Sequence, residues 1–200
     1  MVKYMSKRKI ALIINIIIII AEIIGLSNHI IVDHTLAIQY YTIDSNLLVL
    51  VSSILFIIFY KKNINLVKDI RFLATGLLTV TFLVVIFILC PMQNFNYKLL
   101  MFTDYYFVFH TLVPILSIIS YICYEDKSNK NYLCLIYTII YGIVLVSLNI
   151  LNIIEGPYPF LMIKNQKVIV TIIWSILLIG GSHIISLTLN RLNTKIKGTK

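Results

Sequence analysis

The chain has 200 residues, of which 60% are hydrophobic and only 12% charged, with a net charge of +9 and a mean hydropathy of +0.94. Soluble domains carry about twice that share of charge, so a soluble fold is excluded. The positive charge does not indicate nucleic acid either, because it is divided among short segments between long apolar runs.

Six runs approach the roughly 20 residues a helix needs to cross a bilayer. They cover about 10–27, 38–60, 70–90, 104–123, 132–152 and 168–189. The connections are short, so the expectation is an all-α integral membrane protein. A single domain over 1–200 would hold six transmembrane helices.

Lys3, Lys7, Arg8 and Lys9 precede the first run. It contains Glu22 and ends in Leu26-Ser27-Asn28-His29 without a small-x-small cleavage site, which favours a retained span over a signal peptide. Asn15, Glu22 and His29 recur every seven residues along it, and His29 and His34 are expected in a solvated loop. In the second run Gln39, Thr42, Ser45 and Asn46 share one helical face, and Asp44 points away from it. Lys61, Lys62, Lys68 and Arg71 separate the second run from the third.

The fourth run opens on Asp104, a carboxylate suited to a helix N-terminus. Tyr106, His110, Pro114 and Ser117 share a face of it. Proline has no N–H, and its ring displaces the carbonyl four residues back, so Pro114 predicts a kink and a freed carbonyl at His110. Lys127 and Lys130 follow. The fifth run carries Gly142, Asn149 and Asn152 on one face, and leads into the proline-stiffened loop Glu155-Gly156-Pro157-Tyr158-Pro159-Phe160. In the sixth, Ser182, His183 and Ser186 are expected to hydrogen-bond neighbouring helices at the other membrane depth. Arg191, Lys195, Lys197 and Lys200 close the chain.

With six spans, 14 of the 17 basic residues fall on one side, and Lys98, Lys164 and Lys167 on the other. This asymmetry predicts both termini in the cytoplasm of a multi-pass protein of the cell membrane, with basic segments that touch anionic lipid heads. Tyrosines near the run ends, Tyr40, Tyr41, Tyr60, Tyr105, Tyr106, Tyr124, Tyr132 and Tyr158, read as an interfacial belt. Cys90, Cys123 and Cys134 form no Cys-x-x-Cys pattern and suggest neither disulfide nor zinc.

Depth brings the polar residues together. At about 1.5 Å per residue, Thr42 lies roughly 6 Å, Asn46 roughly 12 Å, His110 roughly 9 Å and Glu22 roughly 8–9 Å below the outer ends of their spans. Three spans thus place polar groups at one level, and Asn149 and Asn152 approach it from the fifth. Thr42 and Asn46 have an ordinary alternative role in tying helices together. Glu22 and His110 are ionisable groups inside spans, which mark function unless they neutralise each other as a pair. A chemical reading needs a nucleophile with a base in reach. Thr42 supplies the hydroxyl and His110 the base, Asn46 or Ser45 would polarise a carbonyl, and Glu22 would orient the imidazole. At that depth the reachable substrate is a lipid ester, and no metal or organic cofactor is called for.

Three motifs carry a resemblance: Tyr40-Tyr41-Thr42-Ile43-Asp44-Ser45-Asn46-Leu47-Leu48, Phe109-His110-Thr111-Leu112-Val113-Pro114 and Pro157-Tyr158-Pro159-Phe160. In their order and their six-span frame they resemble bacterial relatives of the androgen-induced-protein and androgen-dependent TFPI-regulating-protein family. The frame covers nearly the whole chain, and the motifs about twenty residues. In the animal members an intramembrane Thr and His hydrolyse fatty acid esters of hydroxy fatty acids. The resemblance places that Thr on Thr42 and that His on His110. The expectation is a Thr/His lipid ester hydrolase acting on a membrane lipid. Its rivals are a non-catalytic scaffold and a small transporter with a Glu22–His110 relay. The transporter is disfavoured by the lack of an inverted repeat and by a cluster near one face rather than the midplane.

Overall fold

The structure, a computed structural model, describes residues 2–198, with side chains placed from residue 7; Lys200 and the side chain of Lys3 lie outside the described part. Among the described residues six helices are long and apolar enough to cross a membrane. They are α1 (Val2–Asp33), α2 (Tyr41–Ile58), α3 (Asn65–Met92), α4 (Asp104–Cys123), α5 (Leu133–Ile150) and α6 (Val168–Gly198). The expected helical membrane bundle is therefore present. A short helix, Tyr97–Phe102, joins α3 to α4. Two 3-10 turns, Pro159–Leu161 and Ile163–Asn165, shape the α5–α6 loop. Six crossings put both termini at one end of the bundle, here called the terminal face, together with the α2–α3 and α4–α5 loops.

α3 is the central helix and packs on α2, α4, α5 and α6, while α1 lies against α2 and α4. The apolar core along α1 comes in layers. Ile18 and Ala21 pack with Val49, Ala74, Leu78 and Val113. Farther from the terminal face, Leu26 packs with Ile43, Tyr105 and Phe109. Large apolar side chains elsewhere, such as Ile24, Phe87, Ile143 and Ile176, point outward, which in a bilayer is the stable arrangement.

The proline effect differs in form from a simple kink. Five-residue π turns occupy Val108–Leu112 before Pro114 and Val85–Leu89 before Pro91. Val113 N–H then reaches back to the Val108 carbonyl, and Cys90 N–H to that of Val85. Widening the turn by one residue moves the carbonyl that the proline ring would strike and keeps the neighbouring N–H bonded.

The terminal face is pinned by a polar network that the charge pattern did not reveal. Arg71, read above as a loop cation, is 1% exposed within α3. Its Nε donates to Glu125 Oε2 at 3.0 Å and its Nη2 to Oε1 at 2.8 Å, and its Nη1 donates to the Ser52 and Ser53 hydroxyls. Glu125 also accepts from Ser120 and Asn15. Burial alone would push the Glu125 carboxyl up, but the Arg71 guanidinium and these hydrogen bonds hold it below its ordinary value. Around this core Asn193 donates to the carbonyls of Tyr121 and Glu125, and Ser128 and Lys130 both engage Asp69.

His29 also differs from expectation. α1 continues through it to Asp33, so His29 is 5% exposed rather than solvated. Its Nδ1 lies 2.7 Å from Asp33 Oδ2, and its ring meets Tyr105 edge-on. His34 is exposed, at a left-handed φ of 56°.

Candidate functional site

A cavity of about 290 Å³ opens between α2, α3, α5, α6 and the α5–α6 loop, away from the terminal face. Its volume is near the lower end of the roughly 300–1,000 Å³ usual for small-molecule sites. The walls are mainly aliphatic, with Val84, Leu89, Val146, Leu178 and Ile179 among them. The hydroxyls of Tyr41, Thr42, Thr81, Thr138, Tyr158 and Ser175 interrupt the apolar lining. Ile143 belongs to the wall and is also 61% exposed, so the cavity reaches the flank of the bundle at α5. Gly142 lines it too, with nothing within 4 Å of where a side chain would begin. The cavity therefore combines an apolar interior, a lateral opening and hydroxyl groups.

Thr42 stands in the first turn of α2, where backbone N–H groups lack partners within the helix. Tyr40, the residue that caps this helix, contributes no side-chain hydrogen bond. Tyr158 takes that place from the α5–α6 loop. Its hydroxyl lies 3.3 Å from both Thr42 N and Thr42 Oγ1. Burial pushes the Tyr158 phenol up to about 12, against the lowering effect of those hydrogen bonds, so it remains a protonated donor at neutral pH. The loop is held by stacking of Tyr158 on Phe160 and by contact of Phe160 with Trp174 of α6. Nearby, Tyr137 donates to Asp44 and Tyr141 to the Gln39 carbonyl. Asp44 thus faces α5. The sequence places Tyr158 in the interfacial belt; its contact with Thr42 follows from the loop returning over α2, for which a separation of 116 residues leaves no local signal.

His110 lies in the π turn of α4 and is 5% exposed. Its Nδ1 is 2.6 Å from the Leu100 carbonyl of the short helix, and its ring stacks on Tyr106. A carbonyl only accepts, so Nδ1 carries the proton and Nε2 the lone pair. His110 is not among the residues lining the cavity. Val85 both lines the cavity and packs with Leu100 and Met101, so a layer of side chains stands between His110's anchor and the cavity.

The supporting residues are also behind the wall. Ser45 Oγ donates to the Thr42 carbonyl and lies 3.0 Å from Thr81 Oγ1. Asn46 Nδ2 donates to the same carbonyl at 2.7 Å, and its Oδ1 has no partner among the described residues. Both act on the backbone that carries Thr42, and neither lines the cavity. Glu22 is fully buried, and among the described residues neither carboxyl oxygen has a hydrogen-bond partner. It therefore neither orients His110, whose ring is held by Leu100, nor forms a neutralising pair with it. Asn149 donates to the Ile154 carbonyl, while Asn152 lies past the end of α5 at φ 59° and pairs with Lys164. Among the described residues no three His, Cys, Asp or Glu gather as ligands for a metal.

Comparison of the chain with protein-family models, with curated proteins and with solved structures finds no match.

Proposed function

We propose that the cavity takes the acyl chain of a membrane lipid and that Thr42 attacks the ester at its hydroxyl-lined end. The observation that carries this reading is the cavity itself, with an apolar interior open at the bundle's flank and Thr42 on its wall. A lipid would enter sideways from the bilayer, and only its polar end would meet hydroxyls. With the terminal face in the cytoplasm, as the basic residues favour, the site lies in the outer leaflet.

In the proposed reaction Thr42 Oγ forms a bond to the ester carbonyl carbon and passes its proton to His110 Nε2. The Tyr158 hydroxyl donates to the developing oxyanion. Collapse breaks the carbon–oxygen bond to the alcohol, which leaves with the proton from His110. Water then cleaves the acyl-threonine by the same route in reverse, restoring the hydroxyl. The step requires the π turn to bring His110 Nε2 to Thr42, directly or through water. A second reading, an acyl-lipid-binding protein without catalysis, is favoured by one observation: His110 is held by Leu100 and does not line the cavity.

The test is labelling of detergent-purified protein by a fluorophosphonate probe, together with hydrolysis of acyl esters. Wild type should label and turn over, Thr42→Ala should do neither, and His110→Ala should lose about 10²–10⁴ in rate. Gly142→Phe projects a side chain into open space and should block turnover while the protein stays folded. Full activity in Thr42→Ala refutes the mechanism. A wild type that retains co-purified lipid and hydrolyses no ester establishes the second reading.

A further inference from the structure

The acyl-ester reading leaves the most deeply buried acid unused. Glu22 lies in the second half of α1, is 0% exposed, and among the described residues has no partner for either carboxyl oxygen. Asn46 of α2 is also 0% exposed, with its Oδ1 unpartnered among the described residues. The packing places the two at one level. On α1, Glu22 is four residues from Ile18 and four from Leu26. On the antiparallel α2, Asn46 is three residues from Val49 and three from Ile43. Ile18 and Val49 belong to one apolar cluster, and Leu26 and Ile43 to the next. Glu22 and Asn46 therefore stand at the level between two apolar layers, and among the described residues three of their side-chain oxygens have no partner.

Isolated ionised carboxylates are too costly to bury, and the alternative of a neutral hydrocarbon at this position was open to the sequence. The other polar side chains that α1 buries are satisfied differently. Asn15 donates to Glu125 and Ser120 towards the terminal face, and His29 contacts Asp33 at the other end. Among the described residues Glu22 alone of the three has neither hydrogen bond nor ion pair. The titratable groups of the elements packed on α1 do not neutralise it. Asp44 of α2 accepts from Tyr137, His110 of α4 engages Leu100, and Tyr105 donates to Asp33. Tyr106 stacks on His110, Tyr121 meets Asn190, and Asp104 stands at the end of α4 remote from the terminal face.

We propose that Glu22 and Asn46 form an occluded site for a small monovalent cation, a proton or Na⁺, sealed on both sides by the apolar layers. A proton would convert the carboxylate to a neutral acid. Na⁺ would take the Glu22 oxygens and Asn46 Oδ1 as ligands, since hard cations favour oxygen. Exchange requires one apolar layer to open, so occupancy is coupled to the packing of α1 on α2 and α4. The proposal is independent of ester chemistry, because it uses neither Thr42 nor the cavity.

The test uses full-length protein and dicyclohexylcarbodiimide, an apolar reagent that attacks protonated carboxyls. Modification is mapped by mass spectrometry, and the carboxylic-acid infrared band is compared between wild type and Glu22→Gln. A proton site gives modification of Glu22 that declines as pH rises. A Na⁺ site gives modification that NaCl suppresses and choline chloride does not. In either case Asn46→Leu shifts the half-point at least severalfold while the fold, followed by circular dichroism, is kept. Modification indifferent to both pH and Na⁺ overturns the proposal, because it shows a permanently neutral acid. It is equally overturned if Glu22 is unmodified throughout and the infrared band is unchanged in Glu22→Gln. The wild-type measurements decide the matter even where a variant fails to fold.

Discussion

Replacing Arg71 by Met should destabilise the bundle in a pH-dependent way. The substitution keeps the long apolar stem but leaves Glu125, almost fully buried, without its cation. Breaking a buried pair this way typically costs about 3–5 kcal/mol. The charge part has a ceiling, because the carboxyl can take up a proton instead. Doing so at about pH 7 from an ordinary value of 4.5 costs about 3 kcal/mol. At about pH 5 the same protonation costs less than 1 kcal/mol. A separate, pH-independent loss of about 1–2 kcal/mol arises because the Ser52 and Ser53 hydroxyls lose their donor. In the wild type the Glu125 carboxyl is held below its ordinary value. Its contribution is thus complete above that value and disappears only as pH falls through the lower folded one. In Arg71→Met burial is opposed only by the Ser120 and Asn15 hydrogen bonds, the folded value lies above the ordinary one, and the penalty grows as pH rises. Reversible unfolding in mixed detergent–SDS micelles, at both pH values, measures this. Glu125→Gln added to Arg71→Met should remove the pH dependence. If the cost of Arg71→Met differs by less than about 1 kcal/mol between the two pH values, the Arg71–Glu125 pair is not the anchor described here.

Gly76→Ala should cost about 1–3 kcal/mol, because the new methyl would overlap the Cys134 sulfur where α3 meets α5; Cys134→Ala should restore most of it in the same assay. Tyr158→Phe should cost about 1 kcal/mol by removing the hydroxyl that lies against Thr42 N and Oγ1. It should also lower ester turnover, while unchanged turnover would remove Tyr158 from the oxyanion role. Asn193→Leu should cost about 1–3 kcal/mol, since the carbonyls of Tyr121 and Glu125 lose their donor. Faster proteolytic nicking in the α4–α5 loop should report it.

The number of helices, the approximate ends of α4 and the polar character of the α1 face were legible in the sequence, because membrane insertion imposes length and hydropathy directly on each segment. The sequence ends the first run at Ser27, whereas α1 runs on to Asp33, so the level shared by Glu22 and Asn46 rests on the packing of Ile18 with Val49 and of Leu26 with Ile43 rather than on helical rise. What that level contains was decided by packing. Rotation of α2 about its axis sends Thr42 to the cavity and leaves Asn46 buried off its wall, although both lie on one broad face. The relief of Pro114 by a π turn, and the hold of Leu100 on His110, depend on neighbours that hydropathy does not encode. Arg71 shows the limit most clearly. A basic residue next to a lysine-rich loop reads as a topology signal, and only the return of the α4–α5 loop brings Glu125 to it. Segment-level physics therefore determined that this chain spans a membrane. Long-range contacts between segments decided which of its polar residues face a cavity, which pin the helices, and which, like Glu22, are buried without a partner among the described residues.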